Sequence, residues 1–215
     1  MPATISFRDS LRWIPDPASE STHTVVLTGG KTGVFLDVRF FKQSNELDWA
    51  FAGYRSTVVV NNKEATRFTH LIDSRTKDPS QIADLGFNTA LPDGTVLERG
   101  EMINPATGQN TAYEETWRDH DSQLDGPELD KAIFLRNINS TSWYTRVGRW
   151  QLGLGRDPAG SFWAFQAELV DQEWRVHHRI GITDDVKLLP EVETHWVEGE
   201  EVEWNEEKWQ ILEKD

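Results

Sequence analysis

Hydrophobic and polar positions along the chain alternate with a period of two. In the run 34–41, Val-Phe-Leu-Asp-Val-Arg-Phe-Phe, Asp37 and Arg39 fall on one face while Leu36, Val38 and Phe40 fall on the other, which is the pattern of a strand with one polar side. The same alternation recurs at 115–119, 162–169 and 202–204, each rich in β-branched or aromatic residues. Turn residues separate these runs: Gly29-Gly30, Asn61-Asn62, Asp93-Gly94, Pro105 to Gly108, Asp157 to Gly160, and Gly199. Many short strands at this spacing predict a mainly β protein of antiparallel barrels or sandwiches. Helical signals are confined to Pro79 to Leu85, with Asp78 as cap, and Pro127 to Lys131, preceded by Asp125.

Two stretches share order and spacing. The first half has a strand at Thr24, a Gly-rich turn, a strand from Gly33 and another at Leu47; the second has a strand at Gly148, a Gly/Pro turn, a strand from Gly160 and another at Glu173. We read this as two related antiparallel lobes, residues 1–119 and 120–215, divided where Asp119 to Pro127 interrupts the alternation. Two unrelated β meanders would share the same order.

Composition narrows the chemistry. The 215 residues contain no cysteine, so disulfides, thiolate metal sites and cysteine nucleophiles are absent. A formal charge of −14 opposes nucleic acid and anionic membrane surfaces as partners. No stretch approaches the roughly 18 apolar residues of a membrane helix, and the first residues carry no secretory signal, so a cytoplasmic protein is expected. Ten Trp and ten Phe supply the area for a core despite a hydrophobic fraction of 37%.

Several segments resemble a known family. Ser10 to Pro15 with Pro17 to Glu20, then Asp37 to Arg39, Leu47 to Tyr54, Glu98 to Gly100, Asn104 to Gly108 and Tyr113 to Asp119 are similar to the fungal Hri family, with a looser continuation through Val147 to Trp150. The resemblance implies a fungal, intracellular protein with two lipocalin-like β-barrel lobes. It also implies interaction with a casein kinase of the type I class, and it carries over no catalytic or binding residues.

Phosphate loops, dinucleotide fingerprints and nucleophile elbows are missing from the sequence. Among the histidines, His177 and His178 are adjacent on an expected strand and point to opposite faces; His178 shares a row with Trp174, Val176 and Ile180, which makes it a candidate acid/base as well as a candidate core histidine. Glu193 with His195, and His70 with Asp73, are further carboxylate–histidine pairs, and no spacing marks a metal site or a cofactor. Glu115, Trp117 and Asp119 share one strand face. If that face looks into a barrel, Glu115 beside an indole is a general acid or base; if outward, the three are ordinary strand residues.

The aromatic excess supports two functional readings. In the first, the protein is a non-catalytic binding protein for a hydrophobic or aromatic small molecule, lined by Trp49, Phe51, Trp117, Trp150, Trp163, Phe165 and Trp174, or for a protein partner such as a kinase or another basic protein that meets the acidic stretch 198–207. In the second, an aromatic cavity acts as a cofactor-independent isomerase, cyclase or pericyclase, with His178, Glu115, Tyr54 and Arg146 as its polar groups. Core filling by the same rings is the alternative to both.

Overall fold

The computed structural model describes residues 2–121, 131–182, 185–190 and 195–215. Its first eight strands are β1 (Thr4–Trp13), β2 (Thr22–Thr28), β3 (Val34–Phe41), β4 (Leu47–Val60), β5 (Lys63–Asp73), β6 (Asp84–Ala90), β7 (Val96–Asn104) and β8 (Gln109–Asp121). Each pairs antiparallel with the next, and β8 returns to β1 with Thr4 opposite Asp121 and Trp13 opposite Tyr113, which closes the barrel. Closure removes the sheet edges of this lobe.

Seven more strands follow: β9 (Ala132–Asn137), β10 (Ser142–Val147), β11 (Trp150–Arg156), β12 (Phe162–Val170), β13 (Glu173–Ile180), β14 (Glu201–Trp204) and β15 (Glu207–Lys214). They form one antiparallel sheet in the order β13-β12-β11-β10-β9-β15-β14. The mainly β, antiparallel class predicted from the alternation is what the structure shows. Its second lobe differs from a second barrel, because the C-terminal hairpin adds beside β9 and leaves β13 and β14 as edges among the described residues. Of the helical segments, Pro79–Gln81 is a single 3-10 turn with no side-chain cap from Asp78, and β6 begins three residues later. The segment from Pro127 falls, except for Lys131, outside the described residues.

The lobes share a core. The outward row of the barrel's first half, with Ile5, Val25, Leu27, Leu36, Val38 and Phe40, packs against Phe134, Trp143, Leu152, Leu154 and Ala164 of the sheet. Every one of these side chains is at most 3% exposed. Polar bonds fix the register of the two lobes: the Gln166 amide donates to the carbonyls of Val38 (2.7 Å) and His23 (3.0 Å). Arg156 likewise donates to the carbonyls of Asp73 (2.6 Å) and Thr76 (2.9 Å). The buried Glu213 carboxylate accepts from the Thr32 backbone N–H (2.8 Å) and hydroxyl (2.6 Å), and a side chain at Gly29 would collide with that carboxylate. The opposite face of the sheet holds a second core of Leu135, Tyr144, Phe165, Trp209 and Ile211, crossed by Leu189, whose backbone is hydrogen-bonded to the Gln151 amide.

Candidate functional site in the barrel

Because the apolar rows of β1 to β4 face the sheet, the alternating polar rows face the barrel interior. The side of β3 that reads as wet in the sequence is buried there: Asp37 is 3% exposed and Arg39 6%. Buried charges persist only when paired, and these are. Arg39 grips Asp37 through two nitrogens at 2.9 and 2.7 Å and approaches Glu115 at 3.4 Å. Arg8 reaches Glu115 at 2.5 Å and Glu20 at 2.7 Å, and also donates to Thr22 at 2.9 Å. The Arg39 guanidinium lies 5.0 Å from the Trp49 ring, 5.5 Å from Phe51 and 5.9 Å from Trp117, a cation–π arrangement on three rings.

Inside this frame lies a cavity of about 260 Å³. Its apolar wall includes Phe35, Phe51, Phe68, Met102 and Trp117; its polar wall carries Asp37, Arg39, Arg55, Asp84, Glu98, Glu115 and Asp119. At about 30 Å³ per water the space equals some nine waters, slightly below the range of drug-sized sites.

Next to it, His70 is fully enclosed, with Nδ1 2.9 Å from Asp73 and Nε2 3.0 Å from Asp84, while the Trp49 indole donates to Asp73 at 2.9 Å. Phe51 stacks on the imidazole at 4.1 Å. Burial pushes the imidazole pKa down, and the two carboxylates more than offset it, so His70 is held above the ordinary histidine value.

The feature that strand-by-strand reading missed is Glu98. It is 7% exposed, and its Oε1 accepts the Tyr113 hydroxyl at 3.0 Å. Desolvation, followed by repulsion from Glu115 and Asp84, pushes its pKa up to about 8, so it carries a proton at neutral pH. Two glycines make room for the pair: a Cβ at Gly86 would stand 2.4 Å from the Glu98 carboxyl carbon, and one at Gly100 would stand 2.6 Å from the Tyr113 oxygen. Only the Glu98-Arg99-Gly100 segment hinted at this in the sequence; its pairing with Gly86 across strands separated by a turn could not be read from spacing.

Of the ligand-binding residues expected from sequence, Phe51 and Trp117 line the cavity, and Trp49 backs it through Arg39 and His70. Trp150 lies at the junction of the lobes against Phe7. Trp163, Phe165 and Trp174 pack into the far face of the sheet. Of the four polar groups expected for catalysis, Glu115 lines the cavity with Trp117 and Asp119, which makes the Glu115 face an inward one. Tyr54 points outward onto Trp143, and Arg146 lies over Trp174 in the second lobe. His178 sits at the lobe junction, stacked between His23 (4.7 Å) and Phe40 (5.3 Å) and hydrogen-bonded to Asn45. These four therefore do not share one site. A register shift opposite Gln166 and Ala167 brings His177 and His178, expected on opposite faces, to the same junction depression with His23 and Trp150. Among the described residues no cluster of His, Asp and Glu has the makings of a metal site. The Glu193–His195 pair cannot be placed, since Glu193 is outside the described residues. No helix among them is long and apolar enough to cross a membrane.

The chain matches the family model described as Protein HRI1 over residues 4–213, nearly its whole length, and belongs to that family. No curated protein and no solved structure matches it significantly.

Proposed function

We propose that this member of the Protein HRI1 family is a non-catalytic binding protein whose barrel holds a small, largely hydrophobic or aromatic molecule. The observation that carries the reading is the preformed cavity of about 260 Å³, walled by Phe35, Phe51, Phe68 and Trp117 and fixed by buried ion pairs. A wall of this kind costs little reorganisation on binding, because its charged groups already satisfy one another. A protein partner, such as the casein kinase that the family resemblance implies, would meet the outer surface, independently of the cavity.

A cofactor-independent isomerase or cyclase has one observation in its favour, the protonated Glu98 held by Tyr113 inside the cavity. It is the weaker reading, since Tyr54, Arg146 and His178 lie outside that cavity. Native mass spectrometry of the protein purified from its natural source tests the binding reading. A non-covalent adduct that disappears in Met102→Trp, which fills the cavity, is the expected result. A bare mass for both proteins overturns it.

A further inference from the structure

Resting on the binding reading, we propose that the barrel selects an organic cation: the protonated amine of a small arylalkyl amine seated against Glu98, with its ring on the aromatic wall.

The charges around the cavity do not match one for one. Five carboxyl groups line it against two guanidiniums. Asp37 is matched by Arg39, Glu115 by Arg8 and Arg39, and Asp84 by His70, while Asp119 and Arg55 attract each other through space. Glu98 makes no ion pair among the described residues and feels only the through-space attraction of Arg39, against repulsion from Glu115 and Asp84. It is more than nine-tenths buried, and its Oε2 has no hydrogen bond among the described residues. A carboxyl in that position costs stability unless it serves something, and here the backbone gives up a side chain at Gly86 to admit it and one at Gly100 to admit its partner Tyr113. An ammonium supplies what is missing: a positive charge for Glu98 and donors for its free oxygen. Phe51 and Trp117 already carry the Arg39 guanidinium; Phe35 and Phe68 on the same wall are an electrostatic match for a cation and a shape match for an aryl ring. A carboxylate ligand would instead bring a further negative charge among five acids.

Binding then includes a proton step. The Glu98 O–H bond breaks, the proton passes to the buffer, and the carboxylate pairs with an ammonium that keeps its own protons. The groups facing Glu98 are Asp84 on β6, Glu115 and Tyr113 on β8, and Arg39 on β3; burial first, and then repulsion from Glu115 and Asp84, keep Glu98 protonated while the site is empty.

The test uses 2-phenylethylamine, 2-phenylethanol and phenylacetate in titration calorimetry with the full chain. The amine should bind at least tenfold more tightly than the alcohol and the acid. Measured in phosphate and in Tris, it should release close to one proton per ligand at pH 7, and its affinity should rise about tenfold per pH unit from 6 until it levels near 8. Glu98→Gln should lose the preference for amine and the proton release, while Glu114→Gln, on the outer face of the same barrel, leaves both intact. Equal or tighter binding of phenylacetate or phenylethanol overturns the cation assignment and leaves the binding reading standing. Undiminished amine binding by Glu98→Gln overturns the role of Glu98. Absence of binding by all three probes overturns the cation assignment, and the native mass spectrum then decides the binding reading separately.

Discussion

The barrel and the second sheet are built from the same vocabulary of alternating aromatic strands, yet one surrounds a cavity with its inward rows while the other packs its rings against one another beside a surface depression. In the sheet aromatic rings pack on both sides: β10 is buried at all six positions, with Trp143 meeting the barrel on one side and Tyr144 joining Phe165, Trp204 and Trp209 on the other at ring separations of 4.9 to 5.5 Å. In the barrel one row is apolar and faces the sheet, and the other carries the ion pairs of Asp37, Arg39, Glu115 and Arg8. Apolar rings slide together until the gap is gone. Ion pairs do not, because each guanidinium holds its carboxylates at fixed distance and angle. The hollow in the first lobe is thus a consequence of charge, with the aromatic rings left around it as a wall.

The largest effect should come from breaking the surface where the two lobes become one core. Trp143 is fully buried between them, edge-on to Tyr54. Trp143→Ala should cost about 3–5 kcal/mol in chemical denaturation, the range for deleting a large core ring. Trp163→Ala, on the partly exposed far face, should cost less than half of that. If the two variants lose equal stability, the shared core is not the principal tie between barrel and sheet.

Alternation in the sequence was enough to assign faces, and in β3 it separated Asp37 and Arg39 from Leu36 and Val38 correctly. It could not say which face meets water. A polar row beside an apolar row ordinarily means solvent on the polar side, and here a second sheet covers the apolar side while the strand curls its polar side inward. The pairing of β8 with β1 was hidden for a related reason: its partners are a hundred or more residues apart, and no local signal distinguishes closure from an open edge. In the second lobe the same ambiguity ran the other way, since nothing in the run 201–214 marks it as a neighbour of β9. The candidate site was legible as Glu115, Trp117 and Asp119 on one face; Glu98 became meaningful only once Gly86 and Tyr113 were found around it.

An intermediate effect should separate the barrel from the sheet by pH. The unfolded chain gives up the Glu98 proton near 4.5, whereas the folded barrel keeps it to about 8. Across that window the folded state binds more protons, so this group lowers stability as pH rises and the cost is complete above pH 8. Glu98→Gln should match the parent near pH 4 and exceed it at pH 9 by on the order of 3 kcal/mol in denaturant titrations. Trp163→Ala should show no such dependence, because its surroundings in the far-face core are apolar. A difference for Glu98→Gln that is constant across pH would mean the carboxyl is already ionised in the empty barrel.

The smallest effect belongs to the junction between the two lobes. His178 stacks between His23 and Phe40, and desolvation, followed by the neighbouring His23 and His177, lowers its pKa to about 4. Here the sign is opposite to that of Glu98. Between pH 6.5 and 4 the unfolded chain binds the proton that the folded junction refuses, so stability is lost as pH falls through this range. The ring is only partly buried, which keeps the contribution below about 1 kcal/mol. His178→Phe preserves the stack and removes the titration, so its unfolding midpoint should fall less steeply than the parent's from pH 6.5 to 4.5. Parallel curves would assign the acid sensitivity of the junction to His23, whose pKa burial also lowers. A flatter curve would identify the neutral, stacked state of His178 as the one on which the barrel and the sheet meet at this junction.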